Sequence, residues 1–249
     1  MTSSDSLIYG RNPVLEQLKR EPERVEKVLV RENLRGSWIE EIRKLSSANR
    51  ISLSFVPGRR LFELVGNVND QGVIAQITPV SYLEFHDWLD SAEPDSETAI
   101  LLLDGIEDPH NFGAILRSAA AAGMTAVVVP KHRQAPVNAT VFKTSAGTAG
   151  RIPIVRTGNL NQSILELKER GFWIAGLDQD ADQSLWGLEA TVPLAFVIGS
   201  EGQGIRKKTS EHCDFHYAIP MSNGVESLNA SVSAALICYE WRRHRDLKA

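Results

Sequence analysis

The chain has 249 residues, 43% hydrophobic and 23% charged, a composition that can bury a sizeable core as one large domain or two small ones. A formal charge of -4 excludes a uniformly basic nucleic-acid coat but leaves local cationic patches open. Cys213 and Cys238 form no CxxC pair and no 18-residue apolar run exists, which argues against a disulfide scaffold or a membrane span and for a reducing compartment, the cytoplasm.

Residues 1–80 carry 12 Lys/Arg against 10 Asp/Glu and the remainder 15 against 21, so the charge divides the chain. The first part reads as a compact α/β unit. Asn12-Pro13 opens a helix, short strands fall at 28–30, 51–55 and 73–77, and a helix spans 37–47. No basic leader precedes an apolar run, so no signal peptide is expected. Residues 81–97 hold six acids, no base and Pro94, the pattern of an acidic linker with a short helix near 83–89.

From residue 98 to 249 the pattern alternates. Strands are expected at 99–105, 126–130, 172–175, 194–198 and 215–219, and helices at 113–122, 160–170 and 227–241. Continuous apolar runs such as AILLL are how strands of a buried parallel sheet read, so an α/β domain is predicted. Ligands of such sheets bind beyond the carboxyl ends of the strands. Three polar loops fall there, at 104–112, 199–206 and 221–227.

The first loop leads into NFGAILRSAAAAG, where Asn111 is a candidate helix cap. Arg117 reads either as a surface arginine or as a guanidinium for phosphate. The second, VIGSEGQGIR, places three glycines in six residues, which suits a tight turn or close backbone approach to a ligand. It matches neither GxGxxG nor a P-loop, so a dinucleotide-dependent oxidoreductase is disfavoured. The third, IPMSNGVESLNASVSAAL, crowds Ser222, Asn223, Glu226, Ser227, Asn229 and Ser231 into a strand-to-helix junction where one cap would serve. HCDFH at 212–216 sits on an alternating strand that would not converge its three ligands, so no metal site is expected. The WRRHR run at 241–245 reads as a solvated last helical turn or an RNA contact.

Those three segments, at 111–123, 197–206 and 219–236, together closely resemble the SpoU (TrmH-like) branch of the SPOUT RNA methyltransferases. The resemblance extends over residues 98–245, and YGRNPVLEQL at 9–18 is similar to the start of the family's ribosomal-protein-like substrate-binding domain. It implies an α/β fold with a C-terminal trefoil-knot (SPOUT) domain over 98–249 and a smaller N-terminal α/β domain over 1–80. It also implies S-adenosylmethionine as cofactor, a homodimer, no metal, and methylation of a guanosine 2'-hydroxyl in 23S ribosomal RNA or its assembling large subunit. Another RNA nucleotide, or a non-catalytic RNA-binding or assembly role, stays open.

On the matching positions, the resemblance assigns Gly199, Ile219 and Leu228 to the cofactor, largely through backbone atoms. Arg117 would clamp substrate phosphate and stabilise charge at the 2'-hydroxyl, since a guanidinium is too weak an acid to serve as a free base. Asn111 and Asn229 would orient groups beside Arg117, Glu201 would position that network or the substrate, and Ser227 would join the wall. Ala230 stands where the family pattern suggests Val, a small apolar change.

Overall fold

The computed structural model describes residues 7–77 and 82–247. They fall into two compact units: the described residues up to 77 together with Pro136–Ala149, and those from 82 to Ala135 and from Gly150 onward.

The first unit runs β1 (Leu7–Tyr9), α1 (Arg11–Arg20), β2 (Val25–Arg31), α2 (Ser37–Ala48), β3 (Ser52–Val56), α3 (Gly58–Val65) and β4 (Val73–Ile77). Its sheet has the order β1-β4-β2-β3, with only β2 and β3 parallel. In β2 the buried Val28 and Val30 alternate with half-buried or exposed neighbours, and α2 sends Ile39, Ile42 and Ser46 inward at helical spacing. Asn12 does not cap α1. Gly10, at φ 96°, takes the cap position, which puts Asn12 and Pro13 inside the first turn, where the ring costs no hydrogen bond.

The second unit begins with β5 (Leu83–Glu84) and α4 (Phe85–Ser91), followed by β6 (Ala99–Asp104), α5 (Pro109–Ala122) and β7 (Ala126–Pro130). After α6 (Ala139–Thr144), which clusters with the first unit, come β8 (Ile154–Thr157), α7 (Leu160–Glu169), β9 (Trp173–Leu177) and β10 (Gln183–Ser184). The chain closes with β11 (Leu194–Gly199), α8 (Lys207–Ser210), β12 (Phe215–Ala218) and α9 (Ala230–Asp246). The sheet order is β10-β12-β9-β11-β6-β7-β8-β5, and every neighbouring pair is parallel. All six residues of β6 are buried, as expected for a strand covered on both faces.

The stretch read as an acidic linker is partly structural. Leu83 and Glu84 pair with Val155 and Arg156, and Phe85, Trp88 and Leu89 are buried in the sheet's core. Spaced i, i+3 and i+4, those three form one helical face, while acids such as Asp90 lie on the other. The count of charges concealed that spacing. The segment of α6 was also not anticipated in the first unit: Arg24 stands 5.4 Å over the Phe142 ring and Lys143 6.0 Å over that of Tyr9. Among the described residues, no helix is long and apolar enough to cross a membrane.

Candidate active site

Because β6 and β11 are parallel neighbours with Gly199 level with Asp104, their following loops emerge side by side. Asp104 locks them together. Its carboxylate is fully buried and accepts from the Arg206 backbone N–H at 3.0 Å and from Nε at 2.6 Å, with Nη2 also in contact. The hydrogen bond to Asp104 holds the Arg206 guanidinium above its ordinary pKa, burial opposing it. Neither residue was singled out from the sequence. An apolar run ending in Asp, and an Arg closing a glycine-rich loop, were the available signals.

Within that loop Ser200 and Gly204 bond each other through both backbone N–H groups, at 3.1 and 2.9 Å. The chain then turns back across Gly199. A Cβ on Gly199 would lie 2.0 Å from the Gly204 carbonyl carbon and 2.2 Å from the Ile205 nitrogen. The close approach requiring this glycine is therefore that of the chain to itself.

Beside the loop lies a cavity of about 470 Å³, a size suited to a nucleoside-type ligand. Gly199, Ile219 and Leu228 line it, as do Glu201, Ser227 and Asn229. Its walls combine apolar Leu177, Ile198 and Ile205 with backbone and side-chain polar groups from three loops. This mixture fits S-adenosylmethionine: apolar surface for a base, polar groups for a ribose and an amino acid.

At one side of the cavity three polar residues meet. Asp108 caps α5 by accepting from the His110 backbone N–H at 2.9 Å, which leaves Asn111 free for another task. Asn111 is 7% exposed, and its Nδ2 donates to Glu201 Oε1 at 3.0 Å. Asn229 Nδ2 donates to Asn111 Oδ1 at 2.9 Å and also to Glu201 Oε1. Meanwhile Asn229 Oδ1 accepts from the backbone N–H groups of Ser231 and Val232, at 2.9 and 3.3 Å, and so caps α9. That helix starts at Ala230, three residues later than its sequence pattern suggests, because Asn229 holds the cap position. One side chain both caps and builds the site, and this explains part of the polar excess in the third loop.

Arg117 stands apart. Six residues beyond Asn111, it is rotated by about 240° and displaced by about 9 Å along α5. It is exposed, does not line the cavity, and has no hydrogen bond or ion pair among the described residues. The structure thus assembles Asn111, Glu201, Asn229 and the cavity residues, and leaves Arg117 on the outer surface of the same helix. Among the described residues, no group of three or more His, Cys, Asp and Glu side chains is placed to hold a metal ion. Burial pushes the Cys213 and Cys238 thiols up to about 12.

Fold and site together define a methyltransferase of the α/β SPOUT class. Residues 98–239 match the SpoU rRNA Methylase family, and residues 7–83 match the RNA 2'-O ribose methyltransferase substrate-binding family. A Staphylococcus aureus (strain MSSA476) protein assigned to the TrmH family of tRNA/rRNA methyltransferases is 41% identical over 97% of both chains. The 23S rRNA (guanosine-2'-O-)-methyltransferase RlmB of Xylella fastidiosa (strain 9a5c) is 41% identical over 99% of this chain and 100% of its own. Among solved structures, the SpoU methyltransferase AviRb of Streptomyces viridochromogenes superposes with a TM-score of 0.79 at 23% identity, covering 99% of this chain and 91% of that one. AviRb has also been solved in complex with AdoMet. The chain belongs to the SpoU family, whose members are RNA ribose 2'-O-methyltransferases that use S-adenosylmethionine.

Proposed function

We propose that this enzyme methylates the 2'-hydroxyl of a guanosine ribose in 23S ribosomal RNA, and that the Asn111–Glu201–Asn229 cluster beside the cavity is its catalytic core. The observation that carries the reading is the convergence of those three side chains, from the first turn of α5, the glycine-rich loop and the cap of α9, beside the cavity that fits the methyl donor. The Xylella relative, similar over essentially its whole length, supports the guanosine and the 23S target.

Gly199, Ile219 and Leu228 hold S-adenosylmethionine, largely through backbone atoms. When bound, it supplies a sulfonium-activated methyl group, so the protein's task is alignment and charge. Asn111 and Asn229 fix the Glu201 carboxylate through Oε1, and Oε2 has no partner among the described residues. That oxygen is available to accept a hydrogen bond from the ribose. Ser227 contributes to the wall on the cofactor side. Arg117, unpaired on the surface of α5 and outside its own chain's cavity, clamps a substrate phosphate and acts on the 2'-hydroxyl through that phosphate.

The first domain, over 1–80, binds the RNA, and 98–249 carries the chemistry. The active form is a homodimer. On α9 the exposed Val232 and Tyr239 repeat at i, i+7 on one face, an apolar stripe that a second copy would cover. The enzyme works in the cytoplasm, consistent with two free thiols.

Methyl transfer from labelled S-adenosylmethionine to protein-free ribosomal RNA, assembling subunits and bulk tRNA, followed by nucleoside mass analysis, tests the reading. Expected is 2'-O-methylguanosine in large-subunit RNA. Label confined to tRNA would move the substrate, and no transfer from protein that binds the cofactor would favour a non-catalytic role.

A further inference from the structure

The edge of the sheet that carries the site also carries a loop to which the reaction has so far given no part. Residues 131–135 follow β7, which is separated from β11 only by β6, so the loop begins about two strand spacings, roughly 10 Å, from the start of the glycine-rich loop. It is pinned at both ends. The Lys131 backbone N–H donates to the Thr157 carbonyl at 2.8 Å, and that of Ala135 to the Ile106 carbonyl at 2.9 Å. Ile106 lies in the loop that leads to Asn111, so the second bond ties the two loops together.

Between these anchors the chain presents Lys131, His132 and Arg133, all exposed. Lys131 is engaged by Glu84 at 3.0 Å, as Arg206 on the same edge is engaged by Asp104. His132 and Arg133 have no hydrogen bond or ion pair among the described residues. Arg133 also occupies the left-handed region, at φ 56°, an uncommon conformation for a residue with a long side chain. The next residue, Gln134, has both amide atoms buried without a hydrogen-bond partner.

We propose that Arg133, with His132 beside it, grips an RNA phosphate flanking the methylated nucleotide, and so fixes which strand segment enters the site. The inference rests on the RNA 2'-O-methylation reading above. A guanidinium on a backbone anchored to the Asn111 loop is suited to this task, since it offers two parallel donors to one phosphate. In a segment whose formal charge is acidic, an unpaired cation at this edge also gives the RNA backbone a local point of attraction. Arg133 is thus a positioning residue, acting on substrate placement and not on the reacting atoms.

The test uses Arg133→Asn and Arg133→Lys in the full-length protein. Asn adopts the left-handed conformation readily, so Arg133→Asn preserves the turn while removing the charge. Two measurements are made: binding of a labelled RNA hairpin between about 50 and 200 mM salt, and steady-state methyl transfer to protein-free large-subunit RNA. For Arg133→Asn the expected result is an RNA affinity weaker by roughly tenfold or more and a slope of log affinity against log salt shallower by about 0.7 to 0.9. The loss should appear in KM for RNA, not in kcat, with S-adenosylmethionine affinity unmoved, and Arg133→Lys should recover part of it. Unchanged affinity and salt slope would overturn the proposal. A wild type that binds RNA but transfers no methyl group would defeat the functional reading instead, and the binding comparison would still decide the role of Arg133.

Discussion

Asn229 donates through Nδ2 to Oδ1 of Asn111 at 2.9 Å, joining residues 118 positions apart. The bond connects the cap of α9 to the first turn of α5, and Glu201 Oε1 accepts from both side chains. The proposed catalytic cluster and the start of the last helix are therefore one structure, and a change in either should be felt in both.

The two roles of Asn229 can be separated. Asn229→Ala removes the cap and the amide donor, and should cost about 1 kcal/mol from the cap plus about 1 to 3 kcal/mol from unsatisfied partners, together with most activity. Asn229→Ser keeps a capping oxygen but has no Nδ2. It should be more stable than the Ala variant by about 1 kcal/mol in urea denaturation, the cap alone being recovered, while methyl transfer falls as far as in the Ala variant. Full activity in Asn229→Ser would remove the amide from the catalytic cluster.

Much of this was readable in the chain. The apolar runs at 99–105, 126–130 and 194–198 announced β6, β7 and β11 because a parallel strand buried on both faces needs no polar residues. Short strands with mixed character were harder: β8 reads IVRT, and its Arg156 breaks the apolar signal. The cap of α5 went to Asp108 and not to Asn111 because the helix begins one turn earlier, at Pro109, where proline costs nothing. The Asp104–Arg206 pair was not legible, since its members are 102 residues apart and only the β6–β11 pairing brings them together. The six residues lining the cavity that the resemblance assigns to cofactor and active site were named from three motifs, and periodicity alone would not have brought them together.

Gly199 offers a test of backbone crossing. In Gly199→Ala the new Cβ meets Gly204 and Ile205 backbone atoms at 2.0 to 2.3 Å, and neither can swing aside as a side chain could. The glycine-rich loop must shift, with an expected loss of about 3 kcal/mol and of cofactor affinity together. Denaturation and titration with S-adenosylmethionine would measure both. Wild-type values in both would show that the loop yields freely.

Arg117→Ala should leave the fold intact, because the side chain is exposed and unpaired among the described residues. If Arg117 clamps substrate phosphate and stabilises developing charge, kcat/KM for RNA should fall roughly a hundred- to a thousandfold. Cofactor affinity, read by calorimetry, should stay at the wild-type value, as Arg117 does not line the cavity. A large loss of cofactor binding with normal turnover would reverse the assignment.

Acid should loosen the last helix through Glu240. This residue is 7% exposed and accepts from Arg243 Nη2 at 2.6 Å and Nε at 3.0 Å, with His244 Nε2 at 3.2 Å. The Arg243 hydrogen bond holds its carboxyl below the usual carboxylate range, against the opposing effect of burial. A depressed folded pKa means the unfolded chain takes up the proton first as pH falls. The stabilisation is complete above the ordinary carboxylate pKa and drains away as pH drops through the lower folded value, from about pH 5 downward. Glu240→Gln cannot titrate. Its stability at neutral pH should be lower, and its loss of Tm between about pH 5 and pH 3 smaller than in wild type. Parallel Tm-against-pH curves for the two proteins would show that the Glu240–Arg243 pair contributes nothing to holding α9, and with it the Asn229 cap, in place.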